Sequence, residues 1–360
     1  MNLLEISVPT FKRVDSAIKC LKKLVQIREI YPNEISISCS SNQIESSLKN
    51  FCFENSIKYN EFNQNRGAHQ NIKYILTNSS SKYCMILSDE DSINSQYMKS
   101  FLSFLKSLPN EVGIISTSIG KVDNEKNLFS YQDSYQKILF DREDYIYLNM
   151  FLPDYISGFT INNEFASNEI IEDSYEDTPD NAYAHKVFVL KALKKKKISV
   201  FSKNIVLMGQ QVRKGGEAFA EINEPYNINQ SQNKNLNIEV YGPKARLKQF
   251  AYLDQIISGL NLNSFLRNHA KLRNLFAFSM AIAKCHNDVH GIKRSDVKRL
   301  ILESFNSDDF TYKKNNYQKI FILISSSPLI LINIFNMLLY NYFRFTRYIY
   351  FKRLENKLLK

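Results

Sequence analysis

The chain has 360 residues, 44% of them hydrophobic, and carries a formal charge of +11. That suffices for a catalytic domain with a substantial core plus a helical appendage, and the charge leaves open nucleic acid, an anionic membrane surface or phosphorylated substrates as partners. The five cysteines stand apart without paired metal-ligand spacing, which sets aside a structural zinc site and fits reduced thiols.

In chain order, residues 3–8 read as a strand that Pro9 is expected to end. Residues 14–30 follow as a helix, with Ala17, Ile18, Leu21, Leu24 and Val25 at helical spacing. A second strand is predicted over 34–38, a helix over 44–53, a third strand over 57–62 and a helix over 71–79. Alternation of β and α at this pace argues for a parallel sheet with helices on both faces. Residues 1–7 are too short for a signal peptide and run into the first strand, so a cytoplasmic location is expected.

The next strand is Tyr83-Cys84-Met85-Ile86-Leu87, and it stops at Ser88-Asp89-Glu90-Asp91. A short apolar run ending in carboxylates reads as a buried strand that delivers acids to its C-terminal edge, where open α/β sheets bind ligands. Hard carboxylate oxygens there suit Mg²⁺ or Mn²⁺ already held by a diphosphate. The plain alternative is a strand followed by an acidic helix cap, and the nucleotide-binding arrangement of the first ninety residues argues against it. Asp91 is expected to be an exposed strand-end carboxylate, and Glu90 to point elsewhere.

Ile6-Ser7-Val8-Pro9-Thr10-Phe11-Lys12-Arg13, Asn65-Arg66-Gly67 and Leu87-Ser88-Asp89-Glu90-Asp91 together resemble the opening signature of inverting family-2 glycosyltransferases with the GT-A fold. The spacing Asn65-x-Gly67-x-x-x-Asn71, followed by Tyr83-Cys84 and the Ser-Asp-Glu-Asp run, is most similar to the abequosyltransferase-like branch of bacterial surface polysaccharide enzymes. The likeness is good over residues 3–91 and weaker to about residue 216. It implies an α/β fold of the GT-A (Rossmann-like) type, a mixed sheet flanked by helices. It also implies a nucleoside-diphosphate-sugar donor, with Pro9, Thr10 and Arg13 beside base or phosphate and Asn65, Arg66 and Gly67 at ribose or diphosphate. Asp89 would lie near the ribose, and Asp91, with Asp89, would face the metal. Many relatives carry Asp at the end of the second strand to read uracil; here Cys39 or a serine stands there, so UDP does not follow.

An acceptor half is expected over 112–240. Residues 112–117 and 154–161 read as strands, with Gly158 allowing close approach of substrate or of a neighbouring strand. Inverting transfer needs a base for the acceptor hydroxyl proton, and the resemblance implies one near Glu176-Asp177-Thr178-Pro179-Asp180. Asp180 precedes a helix predicted over 183–194 and His185 sits one turn inside it; the two compete equally, with Asp177 third. Two strands are predicted over 198–201 and 205–208. Arg213, in Gln210-Gln211-Val212-Arg213-Lys214-Gly215-Gly216, then belongs to a loop that could close over a diphosphate or be an ordinary exposed turn.

From residue 241 the sequence reads as helices: 244–260, 263–286, 295–305 and 317–357 with interruptions. Residues 320–340 contain no charge, and the stretch beyond mixes aromatics with Arg344, Arg347, Lys352, Arg353, Lys357 and Lys360. This predicts a membrane-associating region lying in the cytoplasmic lipid interface; a soluble packing helix is the alternative. The expected domains are therefore 1–240, catalytic (1–111 nucleotide-binding, 112–240 acceptor), and 241–360, helical. The expected partners are a nucleoside-diphosphate sugar, a glycan or lipid-linked glycan acceptor and an anionic membrane surface on the inner face. A catalytically silent binder of polyanions or nucleic acid is the other function class. The cations adjoin an apolar run and no arginine-aromatic RNA signature is present, which argues against nucleic acid.

Overall fold

A computed structural model describes residues 2–11, 13–63, 67–121, 127–148, 156–166, 196–209, 257–286, 294–306 and 316–358, with isolated positions at Val189, Leu247, Phe250, Ala251, Leu253 and Asp254. The described residues form two compact units, one drawn from residues 2–142 and 156–209, the other from 143–148 and 247–358.

The first unit opens with β1 (Leu4–Thr10), α1 (Val14–Ile30), β2 (Ile35–Ser41), α2 (Ser46–Glu54), β3 (Lys58–Glu61), α3 (Gly67–Asn78) and β4 (Tyr83–Ile86). It continues through β5 (Ser92–Ile93), α4 (Ser95–Ser107), β6 (Val112–Lys121), β7 (Asn127–Phe129), β8 (Thr160–Asn162) and β9 (Lys197–Met208). These strands make one sheet in the order β3-β2-β1-β4-β8-β6-β9-β5, with β7 on β6. The first four strands pair in parallel, whereas β8 is antiparallel to both β4 and β6. The sheet is therefore mixed.

The core follows from spacing. Ala17, Cys20, Leu21, Leu24 and Ile27 of α1 lie on one buried face, and Met98, Phe101, Leu102 and Leu105 do the same on α4. They pack with Leu4, Ile6, Val8, Met85 and Leu87 of the sheet, each such side chain contributing about 1.5–3 kcal/mol on burial. The side-chain oxygen of Asn94 accepts the Gln96 N–H and caps α4.

Several boundaries differ from the sequence expectation. Pro9 does not end β1; it pairs in register with Ser40, and the strand runs on to Thr10. Ser7 turns its carbonyl to the Leu87 N–H, while the Thr10 carbonyl accepts from Asn42 N–H on the opposite side. Alternation therefore turns the Pro9 nitrogen toward β4, beyond the point where β4 stops pairing, and no ladder bond is lost. The segment predicted as two strands over 198–208 is the single strand β9, parallel to β6 with shifts of register around Thr117 to Ile119. Of the segment predicted as a strand over 154–161, residues 156–159 form a turn, and β8 starts only at Thr160.

The second unit contains α5 (Arg142–Leu148, from Glu143 onward), α6 (Ser264–His286), α7 (Arg294–Asn306), α8 (Asn316–Ser326) and α9 (Leu329–Leu358). Its core joins Leu247, Phe250, Leu275, Phe278, Ile282, Val297, Ile301, Ile324 and Ile332. Pro328 separates α8 from α9, and its carbonyl accepts the Leu331 N–H at the start of the second helix. Helix α9 runs unbroken past Asn333 and Asn336. It turns Ile332, Asn336, Leu339 and Phe343 inward, and leaves Ile330, Leu331, Ile334, Met337, Leu338, Phe345 and Tyr348 exposed. Among the described residues no helix is long and apolar enough to cross a membrane.

Candidate active site

β1 and β4 are parallel neighbours, so both deliver their C-terminal ends to one edge of the sheet. After Leu87 the chain folds into a turn closed by the Asp91 N–H donating to the Ser88 carbonyl, 3.0 Å. The apolar strand thus stops, and three acids follow in one turn.

Thr10 and Arg13 meet this turn from the end of β1. The Thr10 hydroxyl donates to Asp89 Oδ2 at 2.6 Å, and Arg13 Nη2 forms an ion pair with Asp89 Oδ1 at 2.5 Å. Arg13 also pairs with Glu90, so Glu90 turns back onto the β1 loop. Burial pushes the Asp89 carboxyl up to about 6, against the opposite pull of Arg13 and Thr10; Glu90 and Asp91 add to the rise. Burial also works against the charge of Arg13, yet Asp89 and Glu90 outweigh it and its pKa is raised.

Asp91 is not the exposed carboxylate expected from the sequence, being only 3% accessible. Its Oδ2 accepts the Ser157 hydroxyl at 2.5 Å and its Oδ1 accepts the Gly209 N–H at 2.9 Å. The reason is that β5, directly after the turn, pairs antiparallel with the end of β9 and draws that strand's last residues over the acids. Ser157 also accepts the Ser88 N–H at 2.8 Å.

The remaining expected residues are distributed as follows. Gly67 is the first residue of α3, which starts four residues earlier than predicted, and Asn71 within that helix donates to the Ser40 carbonyl at 2.9 Å. Cys39 is buried in the core opposite Val8; a hydrogen bond with Cys52, then burial, push its thiol well above the usual range. β2 continues two residues further, so the strand-end position belongs to Ser41 and Asn42 rather than to Cys39, which packing withholds from a ligand. Asn65, Arg66, Asp177, Asp180, His185 and Arg213 lie outside the described residues.

Among the described residues no group of three or more His, Cys, Asp or Glu side chains is arranged to hold a metal ion. Mg²⁺ and Mn²⁺ need no such cage when a substrate diphosphate supplies most of the ligands, because one or two carboxylates then suffice. The hard oxygens of Asp91, with Asp89 beside it, fit that requirement. A carboxylate has about four acceptor sites, so the hydrogen bonds to Asp91 do not exhaust it.

No protein-family model matches the chain, and no curated protein matches it. Solved structures do. The crystal structure of S. aureus TarS 1–349 in complex with UDP-GlcNAc is similar with a TM-score of 0.57 and 13% identity, covering 96% of this chain and 88% of that one. The fold is like that of the GT-A glycosyltransferases. At this identity the likeness concerns the fold alone, and it leaves the abequosyltransferase-like branch unconfirmed. The mannosyltransferase PcManGT from Pyrobaculum calidifontis, in complex with GDP-Man and Mn²⁺, is a second similar structure, with a TM-score of 0.47, 10% identity and coverage of 93% and 86%.

On a GT-A-like fold the acidic turn at the end of β4 is a local feature that the sequence displays. Sequence reading missed Ser157, Gly209 and the Arg13–Glu90 pair. Gly158 offered a signal for the first: its φ of +87° fixes the turn that aims Ser157 at the acids. A Cβ there would meet Thr117 Oγ1 at 2.4 Å, so the close approach that Gly158 allows is to β6, a neighbouring strand. Gly209, directly after an apolar strand, offered a weaker one.

Proposed function

We propose that this protein is an inverting glycosyltransferase that moves a sugar from a nucleoside diphosphate to a hydroxyl of a bacterial surface glycan such as capsule, O-antigen or lipooligosaccharide. The observation that carries the reading is the Asp89-Glu90-Asp91 turn at the C-terminal end of β4, met by Thr10 and Arg13 on a GT-A-like sheet. The UDP-GlcNAc bound by TarS supports a nucleotide-sugar donor without fixing the base or the sugar.

In this reading Asp91, with Asp89, would hold Mg²⁺ or Mn²⁺, which would supply charge to offset that of a departing nucleoside diphosphate. Thr10 and Arg13, which contact Asp89, would meet base or phosphate, and Asn65, Arg66 and Gly67 would complete the donor side at ribose or diphosphate. Asp180 or His185, with Asp177 third, takes the acceptor proton. Arg213 closes over the diphosphate. The catalytic domain is read as residues 1–240 and the helical region as 241–360, except that α5 belongs to the second unit.

Attachment to the inner face of the membrane is part of the same proposal. The outward face of α9 exposes Ile330, Leu331, Ile334, Met337, Leu338, Phe345 and Tyr348 with Asn333 and Asn341 among them, and exposed Arg344, Lys352 and Arg353 follow or interrupt it. Such a face suits the boundary of an anionic bilayer, and a lipid-linked acceptor would then be presented at that surface.

The test is release of nucleoside diphosphate when the protein is mixed with Mn²⁺ and a panel of nucleotide sugars, with and without lipid-linked glycans. Release from one donor, abolished by chelation, is expected. Silence across the panel, together with tight binding of polyanions, would favour the catalytically silent binder.

A further inference from the structure

The Asp91 carboxylate is gripped from two places far apart in the chain. Ser157 reaches Oδ2 from the turn before β8, and the Gly209 N–H reaches Oδ1 from the end of β9. Neither contact is incidental. The Ser157 oxygen also receives the Ser88 N–H, so one hydroxyl ties the first residue of the acidic turn to its last. Gly158 holds the positive φ that this turn needs, with its N–H on the Ile86 carbonyl of β4. At Gly209 the requirement is space: a Cβ there would lie 1.9 Å from the Glu90 carbonyl oxygen and 3.0 Å from its carbon. Any other residue would have to push the end of β9 away from the acids. The strand cannot yield easily, because Val206 and Leu207 pair with β5 and the Ile205 carbonyl accepts the Asn94 N–H.

We infer that Ser157 and Gly209 are positioning residues that fix the plane of the Asp91 carboxylate for a divalent cation carried by a nucleoside diphosphate. The inference rests on the donor site proposed above. A terminal carboxylate torsion is broad by itself, so a donor on each oxygen is what limits it to one orientation. Outer partners of metal ligands commonly govern affinity by 10–100-fold.

The experiment measures UDP and GDP affinity by calorimetry in Mn²⁺ and again in EDTA, for the full chain and its variants. The wild type is expected to bind one nucleotide more tightly in Mn²⁺, and Asp91→Asn to lose that enhancement. Ser157→Ala should reduce the enhancement roughly 10-fold or more while the affinity in EDTA stays within about twofold. Ser157→Thr, which keeps the hydroxyl, should restore much of it, and Gly209→Ala should lower it. Should Gly209→Ala fail to fold, the two Ser157 variants decide the matter. Wild-type enhancement in Ser157→Ala, with Asp91→Asn defective, overturns this inference alone. Equal loss with and without Mn²⁺ in Ser157→Ala overturns it too, because that marks general disruption. No Mn²⁺ enhancement in the wild type overturns both this inference and the donor site.

Discussion

The two units place unusual residues on opposite sides of the burial boundary. In the first, Asp89 and Asp91 are carboxylates taken out of water, each given specific partners. In the second, α9 keeps large apolar side chains in water on the face away from its own core. Buried charge is costly unless paired, and exposed apolar surface forgoes its transfer energy. In the proposed function the first serves a ligand and the second a surface.

The largest effect expected on the first side of this comparison is from Asp91→Ala. Transfer should fall by about 10³-fold, as for loss of a group that stabilises departing charge. Because Asp91 is buried, stability should fall as well, by about 1–3 kcal/mol, since the Ser157 hydroxyl and Gly209 N–H lose their acceptor. Turnover assays and urea unfolding measure the two; unchanged turnover would remove the metal site.

Next comes pH. Burial raises the Asp89 carboxyl from 3.8 to about 6, so the folded state holds that proton more tightly than the unfolded chain. Its stabilising share is complete below about pH 4 and is lost as pH rises through 6, amounting to about 3 kcal/mol by neutral pH. Urea unfolding at several pH values between 4 and 7.5 should therefore show a falling component that Asp89→Asn flattens. Equal slopes in both chains would mean that burial does not raise the Asp89 carboxyl.

The base candidates come third. Asp180→Asn or His185→Ala should cost roughly 10²-fold in kcat with donor binding kept. Small, equal losses would direct attention to Asp177.

The smallest effects test the second side. Lys352→Ala and Arg353→Ala should each weaken binding to anionic vesicles by about 1 kcal/mol, and high salt should release only part of the protein because apolar insertion persists. Leu338→Glu should reduce vesicle binding with little change in stability, since that side chain is 60% exposed. Vesicle binding that ignores all three substitutions would make the face a packing surface for protein.

Much of this was legible in the sequence where the cause is local. Helix α1 has the bounds that its apolar spacing predicts, and the acids of the candidate site lie within three consecutive residues. What was illegible depended on distant chain. Whether Pro9 ends a strand is decided by where β4 stops, and whether residues 198–208 form one strand or two is decided by β6. Ser157 and Gly209 contact Asp91 from 66 and 118 residues away, and the local signals at Gly158 and Gly209 mark a tight turn and a strand end without saying what they meet. The exposed face of α9 lay between these cases, because the absence of charge over 320–340 was visible while the side turned outward was not.

The central claim is that the acidic turn holds a metal-bound nucleotide sugar. Calorimetric titration of the full chain with a panel of nucleotide sugars, in Mn²⁺ and in EDTA, tests it most directly. The account predicts that at least one donor binds with 1:1 stoichiometry in Mn²⁺, binds more weakly in EDTA, and loses the difference in Asp91→Asn. Binding that is indifferent to both the metal and Asp91, or no binding by any donor in the panel, would contradict it.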